Sequence, residues 1–226
     1  MKHSLYLVPL LIITFFSYTV LSLPLKPNQA QQIINTVYKN INGYVIPPQE
    51  SASIRTAGGD PTYGEITFEA LQTLLSDLTL SALDVFYDLG CGLAQTCLQV
   101  ALTTPAKAKG VELSKTRIER AQQAVINLKN MYGIDFKDRV ELRVADITKT
   151  NFSDATVIFL CSTCFSDKLM QQISNTLSKT QSLRYVITLR KMPENNYLTL
   201  FKTYQLPMTW NKKTTVYVYA KKRANE

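Results

Sequence analysis

Between Val85 and Leu189 short apolar, β-branched runs alternate with longer stretches whose apolar residues recur every three or four positions. The runs Val85–Tyr87, Ala108–Glu112, Val140–Val144, Ala155–Leu160 and Tyr185–Leu189 read as strands. The stretches Leu93–Leu102, Lys115–Met131 and Lys168–Leu177 read as helices. Strands that are continuously apolar are buried on both faces, which means a parallel sheet with helices packed on each side. The end of the chain departs from this alternation. Leu198–Tyr204 and Thr214–Tyr219 are two strands with no helix between them, an antiparallel pair expected at one edge of the sheet. The sum is an α/β fold around a seven-stranded, mostly parallel sheet.

A small helical region precedes this core. Ile33, Ile34, Val37, Tyr38 and Ile41 give Asn28–Asn42 an amphipathic helical period, and Phe68, Leu71, Leu74, Leu75 and Leu78 do the same for Ile66–Leu78. Pro47-Pro48 is expected to end regular structure, leaving Ser51–Pro61, with Gly58-Gly59, as a loop. The chain therefore divides into a helical region with a ligand loop at 28–80 and an α/β core at 84–226. With 226 residues and a hydrophobic fraction of 46%, the length and composition suit one packed domain and exclude disorder.

Residues 1–23 stand apart. A basic start at Lys2 is followed by the uncharged apolar run Leu5–Val20, with Val20 and Ser22 forming an acceptable small-residue cleavage site. The run is short for a bilayer span and is interrupted by Thr14, Ser17, Tyr18 and Thr19. A secretory signal peptide is expected, with an uncleaved membrane anchor as the alternative. That makes the protein exported, or else bound to a membrane only through this segment. The net charge of +8 is concentrated at the other end: Arg184–Glu226 holds nine Lys or Arg against two Glu. A basic C-terminus, including Lys212, Lys213, Lys221, Lys222 and Arg223, suits an acidic partner such as nucleic acid.

The chemistry is concentrated at the carboxyl ends of the first strands. Asp88-Leu-Gly90-Cys-Gly92 lies between a strand and its helix, where glycine permits a tight turn and a close ligand approach. Glu112 closes the next strand and can accept from both hydroxyls of a ribose. These features alone suit dehydrogenases and methyltransferases equally. Three further features favour the latter: an acid directly before the glycine loop, Ala145-Asp146 at the end of the third strand, and the terminal antiparallel pair. The chain thus resembles class I methyltransferases, Rossmann-like enzymes that use S-adenosyl-L-methionine.

Tyr63-Gly64-Glu65-Ile66-Thr67-Phe68, Asp88 through Gln95, Gly110-Val111-Glu112 and Ala155–Leu160 together resemble the disruptor-of-telomeric-silencing family, histone lysine methyltransferases without a SET domain. The resemblance spans roughly Tyr63 to Pro193. It implies that Tyr63, Gly64, Glu65, Asp88, Gly90, Gly92 and Gln95 surround the methionine end of the cofactor. It also implies Glu112 on the ribose, Asp146 on the adenine, and a protein substrate of the histone or nucleosome kind. The family usually carries an Asn directly after the fourth strand, where this chain has Cys161. Cys161 and Phe165 are the implied channel positions. Small-molecule or nucleic-acid methylation, and a catalytically silent cofactor-binding domain, remain alternatives.

The four cysteines, Cys91, Cys97, Cys161 and Cys164, lack the histidine partners of a zinc site, because His3 is the sole histidine; no metal is expected. They read as buried thiols. A second expectation is that Cys91 meets Cys161 or Cys164, because the loops that carry them converge on the crevice of an open parallel sheet.

Overall fold

The computed structural model describes residues 22–222. The reading of residues 1–23 as an export or anchor segment therefore falls almost wholly outside the described residues, as does Arg223. Among the described residues no helix is long and apolar enough to cross a membrane.

Seven strands form one sheet: β1 (Val85–Leu89), β2 (Lys107–Glu112), β3 (Val140–Val144), β4 (Val157–Leu160), β5 (Tyr185–Thr188), β6 (Leu198–Met208) and β7 (Asn211–Lys221). Their order is β3-β2-β1-β4-β5-β7-β6. The first five run parallel, and β7 lies antiparallel to both β5 and β6. The order reverses between β1 and β4, so their carboxyl ends diverge into the crevice where open α/β sheets bind ligands.

Side chains alternate between the two faces of the sheet. Phe86, Phe159 and Ile187 pack into one core with α1 (Pro27–Val37), α3 (Phe68–Leu78), α4 (Gln95–Thr103) and α5 (Lys115–Tyr132). Tyr87, Ile158 and Val186 pack on the other side with Leu169, Met170, Ile173 and Leu177 of α6 (Asp167–Leu177). Local chemistry fixes the helix ends. The side chains of Thr67, Ser114 and Ser166 accept from the backbone amides of Ala70, Arg117 and Leu169. Gly133, at φ 68°, closes α5 in the left-handed conformation that glycine tolerates.

Two sequence expectations are corrected here. The first is the loop Ser51–Pro61: Pro48–Thr56 is a helix, α2. Pro48 sits at the first helical position, where its fixed φ and missing N–H cost nothing. Ile54 is the one buried residue of α2, so no apolar period marked the helix. The second is the terminal hairpin, which is longer than its apolar runs. β6 and β7 reach Met208 and Asn211, leaving only Thr209 and Trp210 to turn the chain.

α2 is tied down by Glu50. Its carboxylate accepts from the Ser114 hydroxyl and from the backbone amide and hydroxyl of Thr116, at the start of α5. An acid placed on free amides at a helix N-terminus opposes the positive end of the helix dipole. Glu50→Ala is expected to cost about 1–2 kcal/mol, a drop of roughly 3–6 °C in Tm for a chain of this size, read by thermal unfolding.

Candidate functional site

A cavity of about 260 Å³ opens above the carboxyl ends of β1, β2 and β4. The strand β1 delivers Asp88, which is 3% exposed. Immediately after it, Gly90 and Gly92 take φ of +85° and +53°, and the backbone turns sharply into α4. At Gly92 the choice is forced twice, since a Cβ there would lie 2.6 Å from Cε2 of Tyr63. The turn is held from β2. Glu112, buried, accepts from the Gly92 amide at 3.0 Å and the Ser114 amide at 2.8 Å.

The segment Tyr63–Ile66 crosses over the cavity. Tyr63 donates its hydroxyl to Glu65 Oε1, and Gln95 Nε2 donates to Glu65 Oε2 at 2.7 Å. Burial raises the Glu65 pKa against these bonds, and burial and then Glu65 raise that of Tyr63. The hairpin turn docks on the same segment. Thr209 N donates to Glu65 O at 2.9 Å, Glu65 N donates to the Thr209 hydroxyl at 3.0 Å, and Trp210 lies against Gly64. A Cβ on Gly64 would come within 2.4 Å of the Trp210 ring.

Asp88 is the electrostatic centre of the cavity. One carboxyl oxygen accepts from the Thr96 hydroxyl, and the other is buried without a partner. Burial, reinforced by the charges of Glu112 and Glu65, raises its pKa to about 7 against the pull of Thr96. Three acids thus border one crevice, one of them with a buried oxygen that has no partner, an arrangement chemically suited to a cation that also donates hydrogen bonds.

Of the residues singled out in the sequence, Tyr63, Gly64, Glu65, Asp88, Gly90, Gly92, Glu112, Asp146, Cys161 and Phe165 all border this cavity. Gln95 does not, and acts on Glu65 from behind. Asp146 also serves its own backbone: its Oδ1 accepts from the amide and hydroxyl of Thr148, capping a short 3-10 turn. Phe165 is positioned by Arg190, which donates to the Phe165 carbonyl and to Asp167, and by the bridge between Gly59 and Phe165. Cys161 faces the Tyr63–Glu65 segment, its sulfur 3.9 Å from Gly64 O, and burial pushes its thiol well above the usual range.

No disulfide joins Cys91 to Cys161 or Cys164, although all three border the cavity. The Cys91 sulfur packs on Gly110 of β2, where a Cβ would come within 2.7 Å of it, and all four cysteines are free thiols. Among the described residues no group of three or more His, Cys, Asp or Glu could hold a metal ion.

Sequence reasoning missed Ile54, Arg117 and Trp210, which also border the cavity. Trp210 is the only tryptophan in the chain, placed in a two-residue turn and 47% exposed; that pairing was its available signal. Nothing distinguished Arg117 from the other cations on α5.

A family profile described as "Histone methylation protein DOT1" matches residues 44–221. The chain is 24% identical over 178 residues to a histone-lysine N-methyltransferase, H3 lysine-79 specific, of Drosophila melanogaster, covering 76% of this chain and 9% of that protein. It is 29% identical over 153 residues to the protein of the same name from Caenorhabditis elegans, covering 63% of this chain and 16% of that one. The chain thus spans less than a fifth of either relative. Among solved structures, the magnesium protoporphyrin IX methyltransferase of Synechocystis PCC 6803 with bound SAM superposes with a TM-score of 0.53. That match has 13% identity and covers 89% of this chain and 100% of the other. An RNA methyltransferase from Salinibacter ruber gives a TM-score of 0.50 at 21% identity, covering 67% and 90% of the two chains. These two likenesses carry the fold alone: a Rossmann-like class I methyltransferase sheet. The match over 44–221 takes in the Tyr63–Glu65 segment, the glycine loop, Glu112 and the terminal hairpin, and on that extent the chain belongs to the DOT1 histone methylation family.

Proposed function

We propose that this chain is an S-adenosyl-L-methionine-dependent methyltransferase that modifies lysine side chains of a histone-type protein. The observation that carries the reading is Asp88, a buried acid with one unpartnered carboxyl oxygen, which borders a cavity between the glycine loop and the Tyr63–Glu65 segment. The amino-acid end of the cofactor presents an ammonium group, which such an oxygen suits, and Glu112 is placed for a ribose. Bound there, the cofactor would supply a methyl group on a positively charged sulfur. The chain's own part is to bind, orient and exclude water. Phe165, Cys161 and Trp210 form a largely apolar wall beside the acids, suited to the aliphatic stem of lysine. A desolvated amine in such surroundings loses its proton more readily, which frees the lone pair that transfer requires. The relatives, named for lysine 79 of histone H3, point to the same substrate class.

Incubating the full chain with methyl-labelled cofactor and either nucleosomes, free histones or RNA tests this. Label recovered as methyllysine in histone supports it. Label in RNA, or cofactor binding without transfer to any of the three, would replace it with nucleic-acid methylation or a silent binding domain.

A polyanion is the partner we propose for the basic end of the chain. Lys212, Lys213 and Lys222 are exposed, and the first two lie on the hairpin beside Trp210 at the cavity rim. Neutralising Lys212 and Lys213 is expected to weaken binding to nucleosomes or DNA. The slope of log affinity against log salt should flatten by about one to two, since each lost phosphate contact releases one counterion fewer. An unchanged slope would remove these lysines from the interface. Residues 1–23 we read as an export or anchor segment. N-terminal sequencing of the protein from its native cell, with cleavage found after about residue 22, would support export.

A further inference from the structure

Arg117 has been given no role so far, yet it occupies an unusual position. It lies in the first turn of α5, five residues after Glu112, and is 4% exposed. Its Nε donates to the carbonyl of Gly43 at 3.1 Å and its Nη2 to the carbonyl of Pro61 at 2.5 Å. Its guanidinium stacks over the Tyr63 ring, 5.0 Å from the centroid. One planar cation therefore gathers both ends of the 43–61 segment and one face of Tyr63. The same ring meets Tyr44 edge-on, centroids 5.4 Å apart, and packs on Gly43 and Gly92, where a Cβ would come within 2.4 Å and 2.6 Å of ring carbons. Tyr63 in turn donates to Glu65, and both border the cavity.

We infer that Arg117 is a positioning residue for cofactor binding, acting through Tyr63 to set the Tyr63-Gly64-Glu65 segment over the glycine loop. This rests on the reading of the cavity as a cofactor site. The physical basis is geometric. A guanidinium is a rigid fork that can hold two carbonyls in a fixed relation and still present a flat face to an aromatic ring. Lysine keeps the charge but lacks both the fork and the face, so Arg117→Lys separates position from charge. Two further links tie this region to α5: Glu50 holds α2, and Arg120 donates to the carbonyls of Asn42 and Val45, on either side of the Gly43-Tyr44 pair that packs on Tyr63. Loss of the Arg117 fork should therefore loosen the segment locally while α5 stays in place.

The test combines four measurements on the full chain. In Arg117→Lys, KM and Kd for S-adenosylmethionine should rise about tenfold, while kcat at saturating cofactor stays within about twofold. Amide hydrogen exchange should quicken across 43–66 and stay unchanged in α5 beyond its first turn. In a double-mutant cycle with Tyr63→Leu, the two losses in affinity should be strongly non-additive, because both changes remove the same link. Millimolar guanidinium should restore part of the affinity of Arg117→Ala. A fall in kcat and Tm with KM unchanged would mark Arg117 as merely structural and overturn the inference, as would additive losses. Faster exchange at 43–66 in a protein whose wild type binds no cofactor would leave the latch standing and sink the cofactor reading. Unchanged exchange together with normal wild-type binding would sink the latch and leave that reading intact.

Discussion

Glu112→Ala is expected to lower cofactor affinity roughly tenfold to a hundredfold while leaving a folded domain. Two losses combine. The carboxylate is the acceptor proposed for a ribose hydroxyl pair, and it also holds the Gly92 and Ser114 amides at 3.0 and 2.8 Å. Truncation leaves both buried amides without an acceptor, at a cost of roughly 1–3 kcal/mol each. The first of them belongs to the residue that shapes the glycine turn. The loss of a charged acceptor contributes a further ~1.5–3 kcal/mol to binding. Calorimetric titration with S-adenosylhomocysteine, paired with a thermal melt, reads both effects. Unchanged affinity would remove Glu112 from the site.

The largest pH effect is expected at Asp88. Its pKa is raised to about 7 in the folded protein, well above the 3.8 of a free carboxyl, so the native state holds a proton that the unfolded chain releases. Stability of the ligand-free protein should therefore be full below about pH 4 as far as this group is concerned. It should fall as pH rises through 4 to 7, by on the order of 4 to 5 kcal/mol at 1.4 kcal/mol per unit. Asp88→Asn cannot ionise and should flatten that part of the curve, making the ligand-free variant the more stable protein at pH 8. Binding should move in the opposite direction. The ionised carboxylate is the form that attracts an ammonium group, so wild-type affinity should rise with pH through 7. The Asn variant should bind at least tenfold more weakly at pH 8, with the gap narrowing by pH 6. Denaturant unfolding of both proteins across pH 4–8 checks the first claim, and titration at pH 6 and 8 the second. Parallel stability curves would contradict it.

How much of this was legible in the chain depended on whether a residue's role left a pattern. The parallel core announced itself because apolar runs and helical periods alternate, and the terminal hairpin because they stop alternating. Asp88, Gly90, Gly92 and Glu112 were legible because strand ends carry ligands in such sheets, which gives each a position as well as a type. The helix α2 was hidden, since it buries only Ile54 and is held by Glu50, a polar contact reaching 64 residues along the chain. Arg117 was hidden for a related reason. A cation on an amphipathic helix looks solvated, and only the fold brings Gly43, Pro61 and Tyr63 around it. Cys91 was legible only in part: its loop could be placed, but the packing of its thiol on Gly110 of β2 is a contact that no local pattern encodes.

The central claim is that this crevice of acids and glycine backbone holds the amino-acid and ribose ends of an S-adenosyl ligand. It is tested most directly by titrating the wild-type chain with S-adenosylhomocysteine at pH 8 and again at pH 6. The predicted result is saturable one-to-one binding, tighter at pH 8 and accompanied by proton release near pH 7. No saturable binding at either pH, or binding that strengthens as Asp88 takes up its proton, would contradict the account.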